Sequence, residues 1–300
     1  MTTSTFRDRH GVDIAYRRWD ATQSVGTVVV VHGASDHGGR YEPFAQALNA
    51  AALSVYALDQ RGHGVTATAT GRGRIGPPGA QALVDDIDHV VDIALTDHPG
   101  KGIAVFGHSM GSLIALAYAT QHPERLRGLV LSALPATPVT VAAVAEAMTA
   151  LPDELREQPS PSLTAFNEMF EPARTPYDWL SRDPDEVDRY IADPLCGDNL
   201  PLTLGFTADL FTIVVPAFSE AGLARLDFPV HLIAGDQDPA AACGDHVRQL
   251  SEAMQGAGVD VTSRVYEGAR HKLLSETNRD EVTADLVGWL RDRLSDERAS

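Results

Sequence analysis

A serine hydroxyl becomes a nucleophile only when its side chain is held exposed and a base stands ready to take its proton. The run Gly107-His108-Ser109-Met110-Gly111 meets the first condition, because it lies between an apolar run, Gly102 to Phe106, and an Ala- and Leu-rich stretch, Ser112 to Gln121, that stops near Pro123. A strand that turns at once into a helix presents its serine on a tight, strained turn. Glycines on either side leave room for the approaching helix, whose N-terminus offers N–H groups to developing negative charge. The chemistry expected is acyl transfer through an acyl-serine, with Ser109 as nucleophile.

On such a turn the partners follow in the order Ser, acid, His. Of the eleven histidines, only His246 and His271 come after the late apolar run Val230 to Ala234 that would deliver the acid. His271 follows the last strand-like run through the loop Glu267-Gly268-Ala269-Arg270 and is the expected general base. His246 falls in a helical stretch after Gly244 and is expected to be structural or exposed to solvent. Two carboxylates compete for the acid in Gly235-Asp236-Gln237-Asp238-Pro239. Asp238 is preferred, since a loop of several residues can aim it back at His271, and Asp236 would then hydrogen-bond within its own turn. Two backbone N–H groups should hold the oxyanion: that of Met110, directly after the nucleophile, and that of Ala34, in the loop His32-Gly33-Ala34. His32 is expected to support that loop.

These residues need a scaffold, and the chain supplies one. Gly26 to Val31, Leu53 to Leu58, Gly102 to Phe106, Gly128 to Ser132, Val230 to Ala234 and Val261 to Tyr266 read as strands. Residues 41 to 52, 112 to 121 and 281 to 294 have helical spacing between or after them. Strands alternating with helices predict an α/β fold, a mostly parallel sheet covered on both faces. From Leu134 to about Asp227 the strand rhythm stops, while helical-looking apolar groups such as Leu163, Phe166, Met169 and Phe170 continue. The expected organisation is a core in two parts, residues 1–133 and 228–300, with a helical cap inserted at 134–227.

The composition narrows the function further. Apolar residues make up 44% of the 300 and charged ones 22%, enough to bury a sizeable core. A formal charge of −17 repels nucleic acid and anionic bilayers. The opening residues are polar and no stretch approaches eighteen apolar residues, so a cytoplasmic protein without stable membrane insertion is expected. Two cysteines, Cys196 and Cys243, do not make a disulfide scaffold and are expected to be thiols. His32, His37 and His63 lack the carboxylate or Cys spacing of a metal site, a dinucleotide fingerprint is absent, and neither metal nor organic cofactor is expected.

His32-Gly33-Ala34-Ser35-Asp36-His37 with Arg40-Tyr41, Asp59-Gln60-Arg61-Gly62-His63-Gly64, the Ser109 turn, Gly235 to Asp238 and His271 to Glu276 together resemble the monoacylglycerol lipase and lysophospholipase branch of the α/β-hydrolases, the serine aminopeptidase S33-like hydrolases. The resemblance covers about residues 10 to 293, with Val65 departing from the serine common at that place in relatives. It implies an α/β-hydrolase fold, Ser109, Asp238 and His271 as triad, Ala34 and Met110 as oxyanion donors, and a small ester substrate of lipid type. Under the cap, Phe166, Phe170, Trp179, Leu204 and Phe206 are candidates to bind the acyl chain, packing within the cap being the alternative. An amidase, peptidase or thioesterase would use the same triad. A binding protein that kept only the fold is the reading from another class.

Overall fold

The computed structural model describes residues 1–197 and 201–295. Among the described residues eight strands form one sheet: β1 (Thr2–Arg7), β2 (Asp13–Trp19), β3 (Gly26–Val31), β4 (Leu53–Leu58), β5 (Gly102–His108), β6 (Gly128–Ser132), β7 (Val230–Gly235) and β8 (Val261–Tyr266). Their spatial order is β1-β2-β4-β3-β5-β6-β7-β8. The pairs from β4 to β8 are parallel, with Val30 opposite Phe106 and His108 opposite Ser132, whereas β1 and β2 run antiparallel at one edge. The parallel strands β3, β4, β6 and β7 are buried along their whole length, which is why they read as continuous apolar runs.

The polar opening of the chain is an edge hairpin that its composition conceals. Phe6 is the one buried side chain of β1, stacked on His89 with ring centroids 4.1 Å apart. Such an edge needs little hydrophobicity, because only one side of it meets the core.

Among the described residues ten α-helices complete the layers: α1 (Glu42–Ala50), α2 (Ala67–Thr70), α3 (Gln81–Asp97), α4 (Met110–Gln121), α5 (Pro138–Thr149), α6 (Pro184–Ala192), α7 (Leu204–Ala217), α8 (Glu220–Leu223), α9 (Asp245–Gly256) and α10 (Arg279–Ser295). The period-two pleat sends Val29, Val31, Val105 and Leu129 to one face, against α3, α4 and α9. Val28, Val30, Ala104 and Phe106 point to the other, against Phe44 and Leu48 of α1 and Leu286 and Leu290 of α10. Each of the valine, leucine and phenylalanine side chains contributes about 1.5–3 kcal/mol on leaving water.

Between β6 and β7, which are neighbours in the sheet, the chain makes α5 to α8, and none of the described residues there adds a strand to it. Phe206, Leu210, Phe211 and Val214 of α7 join the same core as α4, so this segment is fused to the main body along that helix. A second, smaller cluster gathers Tyr177, Trp179, Leu180, Val187 and Tyr190. Among the described residues no helix is long and apolar enough to cross a membrane.

Candidate active site

Ser109 sits between the end of β5 and the first residue of α4 with φ 53° and ψ −123°, a region that non-glycine residues rarely occupy. The surroundings impose it. Its N–H donates to the Ser132 carbonyl at 2.8 Å, and its carbonyl accepts from the Ser112 N–H at 2.8 Å. A Cβ on Gly107 would stand 2.5 Å from the Gly111 carbonyl oxygen, and one on Gly111 would stand 2.1 Å from that of Val31. Only glycines let α4 start this close to the sheet.

The loop after β3 lies against this turn. A Cβ on Gly33 would be 3.1 Å from Ser109 Cβ, and Gly33, Ala34, Ser109 and Met110 line one pocket. His32 is fully buried, its Nδ1 2.8 Å from the Gly33 carbonyl and its Nε2 accepting from the Gln60 N–H at 2.9 Å. Burial pushes its pKa down, so it is a neutral brace for the loop. His108, buried beside Ser109, is likewise held well below the usual range by burial and then by its neighbour His271, with ring centroids 4.9 Å apart.

His271 lines the same pocket and is 3% exposed. Its Nδ1 lies 3.0 and 2.9 Å from the two carboxylate oxygens of Asp238, which is fully buried and also accepts from the Ala240 N–H at 3.0 Å. A proton on Nδ1 facing that carboxylate leaves the Nε2 lone pair available. Asp236 is placed otherwise: it accepts from the Gly268 N–H at 2.7 Å, across to the loop after β8 and not within its own turn. The reason is that β7 and β8 are paired neighbours, which brings Gly268 to the mouth of the Asp236 turn. His246 stands in α9, half-buried, with Nδ1 3.2 Å from the Leu134 carbonyl.

The pocket above Ser109 has a volume of about 250 Å³. Leu113, Val144, Leu163, Phe166, Leu202, Leu210 and Phe211 make much of its wall apolar, and Trp179 lies beside His271. Phe166 and Trp179 of the candidate acyl-binding residues thus line it; Phe170, Leu204 and Phe206 do not. Phe170 lies under the Arg270 guanidinium at 4.1 Å, Phe206 is buried edge-on to His63 at 5.8 Å, and Leu204 is the first residue of α7, tied to the Gln158 carbonyl. Residue type alone does not say which side of a helical layer faces the cavity.

Asp36, Tyr190 and Lys272 give the same pocket a polar part that residue spacing did not single out. Lys272 Nζ donates to Asp36 Oδ2 at 2.7 Å, the Arg40 Nε is 3.7 Å from Asp36 Oδ1, and Tyr190 donates to the Ser35 carbonyl at 3.0 Å. Burial alone would raise the Asp36 pKa, but Lys272 and Arg40 hold the carboxyl well below the usual range. The available signal was adjacency: Asp36 follows the β3 loop by two residues, and Lys272 directly follows His271.

Close by, His37, Asp193 and Cys196 bring one potential metal ligand each within 4.8 Å of one another. Their donors are already committed. His37 Nδ1 accepts from the Gly39 N–H at 3.2 Å, which puts the ring proton on Nε2, facing Asp193 at 2.9 Å. Arg40 adds its charge 3.7 Å from that same carboxylate, and the Cys196 thiol is pushed far up by burial and by Asp36. This donor set does not fit a metal ion.

The model of the family described as serine aminopeptidase, S33 matches residues 22–278. A monoacylglycerol lipase of Mycolicibacterium smegmatis is 34% identical over 295 residues, 95% of either chain. The monoglyceride lipase of Homo sapiens is 31% identical, covering 93% of this chain and 87% of its own. The crystal structure of a thermostable carboxyl esterase from Bacillus coagulans in complex with glycerol superposes with a TM-score of 0.88 at 27% identity over 98% of both chains. That of Paleococcus ferrophilus monoacylglycerol lipase gives 0.70 at 28% identity, over 93% of this chain and 99% of the other. With the family matched over most of its length and the parallel sheet and Ser109 turn that go with it, the chain belongs to the serine aminopeptidase S33 family of α/β-hydrolases and is a serine-hydrolase-type enzyme.

Proposed function

We propose that the chain hydrolyses carboxylic esters of the monoacylglycerol kind, with Ser109 as nucleophile, His271 as general base and acid, and Asp238 as the group that orients it. The observation that carries this reading is the single pocket that joins Ser109 and His271 to an apolar wall on one hand and to the Asp36, Tyr190 and Lys272 group on the other. An ester with an acyl tail and a hydroxylated leaving group has the same two-sided character. The relatives named monoacylglycerol lipase and the esterase solved with glycerol support it.

In the proposed reaction the Ser109 hydroxyl adds to the ester carbonyl as its proton passes to His271 Nε2. The N–H groups of Met110 and Ala34 donate to the oxyanion, and Asp238 balances the imidazolium. Collapse breaks the bond to the alcohol, which leaves with the proton from His271. Water, giving a proton to His271, then attacks the acyl-serine, and the carboxylic acid departs as Ser109 regains its hydrogen. Asp36 and Lys272 offer an acceptor and a donor to the hydroxyls of the leaving alcohol. Cys196 and Cys243, held apart beside Asp36 and Met169, support a reducing compartment, the cytoplasm.

The test is kcat/KM across an ester panel that varies acyl length and compares glycerol, lysophospholipid and small-alcohol leaving groups, with Ser109→Ala as background. A maximum at medium or long monoacylglycerols is expected. A preference for short, non-lipid esters keeps the serine mechanism and overturns the substrate.

A further inference from the structure

The cap segment around Trp179 is bound along the loop that carries His271. The His271 N–H donates to the Trp179 carbonyl at 3.3 Å, and the Lys272 N–H to that of Leu180 at 2.7 Å. Arg270 donates to the Asp178 and Ser181 carbonyls, at 2.5 and 3.3 Å. Ser181 Oγ donates to the Ser275 carbonyl at 2.8 Å. The Arg182 N–H and Nε donate to the two oxygens of Glu276 at 3.0 and 2.8 Å, and that carboxylate is fully buried. Five consecutive residues of the cap therefore hold five residues of the catalytic loop, a degree of fastening that a lid free to swing away would not carry.

This fastening fixes one side-chain contact. The indole of Trp179 lies against the His271 imidazole, with ring centroids 4.6 Å apart and planes tilted by 39°. Trp179 is 2% exposed and His271 3%, so water does not separate or screen the two rings. The indole packs against Phe166, with centroids 5.0 Å apart, and the Trp179 backbone N–H donates to Asn167 Oδ1 at 2.9 Å. In the proposed reaction His271 becomes a cation twice per turnover, and the electron-rich face of an indole within about 6 Å attracts a cation most strongly where water is excluded.

We infer that Trp179 is a positioning residue for His271, whose indole face stabilises the imidazolium formed in both acylation and deacylation. This rests on the triad reading above. It gives the cap a part in catalysis that is separate from any contact with substrate, because the indole acts on the base itself. The other charged or titratable groups around the ring are Asp238 at Nδ1, His108 at 4.9 Å between centroids, and Lys272 next in the chain with its charge drawn off to Asp36. His108 stays neutral because burial depresses its pKa, and Arg270 directs its guanidinium to Phe170. Asp238 and Trp179 are thus the two groups that favour the cation directly.

The experiment is the pH profile of kcat/KM for a 4-nitrophenyl ester in the wild type, Trp179→Phe and Trp179→Leu, with the unfolding midpoint of each as the check on folding. Loss of the indole weakens the imidazolium in the free enzyme and in the transition state together. The expected result for Trp179→Leu is a plateau about tenfold lower and an acid limb displaced toward lower pH by up to about one unit. Trp179→Phe should lie between the two. A Trp179→Leu plateau that falls while the acid limb stays in place overturns the inference, since lost packing would do that alone. Should the leucine variant fail to fold, biosynthetic replacement of tryptophan by 5-fluoro- and 5,6,7-trifluorotryptophan leaves the shape nearly intact and withdraws electron density stepwise. The acid limb should then move down stepwise, and in a Trp179→Phe background, where Trp19 and Trp289 alone carry the fluorines, it should stay fixed. A limb indifferent to fluorination overturns the inference. Activity equal to wild type in Ser109→Ala would instead overturn the triad reading.

Discussion

His271 Nδ1 faces Asp238 symmetrically, 3.0 Å from one carboxylate oxygen and 2.9 Å from the other, with neither carboxylate nor imidazole open to water. Asp236, two residues earlier, spends its carboxylate on the Gly268 N–H. The paired variants Asp238→Asn and Asp236→Asn therefore separate. Asp238→Asn removes the charge that balances the imidazolium and offers the ring the wrong partner, so kcat should fall by about 10³–10⁴-fold with KM little changed. Asp236→Asn keeps an acceptor for Gly268 and should lose less than about fivefold. Equal losses, or the reverse order, would reassign the acid.

The parts of this architecture legible from residues are those whose burial is total or whose geometry is local. β3, β4, β6 and β7 are enclosed on both faces, and enclosure leaves a run of apolar, often β-branched residues that no other element requires. The Ser109 turn announces itself through the glycines at 107 and 111, because α4 starts against β3 only without side chains there. β1 stays hidden in a polar opening, since an edge strand needs one buried residue, Phe6, to hold its place. α3 likewise stays hidden although Leu83, Ile87, Val90 and Val91 bury one face, because Asp85, Asp86, Asp88 and Asp92 interrupt the apolar residues along the chain. The pocket wall is a tertiary property. Phe166 and Phe170 are four residues apart in one helical turn region, yet one meets the cavity and the other lies under Arg270. The Asp36–Lys272 pair joins residues 236 positions apart, and no periodicity reports a contact of that kind.

That pair yields a second prediction. Lys272 and Asp36 are 10% and 3% exposed at their side chains, so removing the lysine alone leaves a carboxylate with Arg40, at 3.7 Å, as its remaining direct ion-pair partner. Lys272→Met should lower the unfolding midpoint more than the double variant Asp36→Asn/Lys272→Met, which removes both charges. The double variant should lose about 10–30-fold in kcat/KM for a monoacylglycerol and less than about threefold for 4-nitrophenyl acetate, whose leaving group has no glycerol hydroxyls to bind. Equal losses on both substrates would place the pair in support of His271 and not at the alcohol.

A third prediction concerns the turn itself. The methyl group of Gly111→Ala would meet the carbonyl oxygens of Val31 and His32 at 2.1 and 2.4 Å, and both belong to backbone that cannot step aside cheaply. The start of α4 must shift, carrying the Met110 N–H and Ser109 with it. Stability should drop by about 2–4 kcal/mol, read as a lower urea midpoint, and kcat should drop by more than tenfold even in the folded fraction. A variant as active and as stable as the wild type would show that α4 can move outward without disturbing the nucleophile.

The buried histidines make stability fall in mild acid. His32 and His63 are fully buried, His108 is 5% exposed and His231 8%. Burial depresses all four, His63 to about 3, and His271 adds to the effect at His108. The unfolded chain protonates them near pH 6.5 and the fold refuses the proton, so stability present above pH 6.5 is lost as the pH falls toward the folded pKa, by up to about 1.4 kcal/mol per pH unit for each. One group opposes them. Asp86, raised to about 6 by burial although Arg61 is bonded to it, takes up a proton in the fold before the unfolded chain does. Its contribution is complete below the unfolded value of 3.8 and fades as the pH rises through 6. Four histidines against one aspartate leave a net uptake on unfolding. The urea midpoint should therefore decline steadily from pH 7 to pH 5, with calorimetry in two buffers showing a net uptake of protons on unfolding. The carboxylates that their partners hold down, Asp36 among them, act only in stronger acid. A midpoint that stays level to pH 5 would mean that the fold admits protons at these imidazoles, and the neutral brace assigned to His32 would then be wrong.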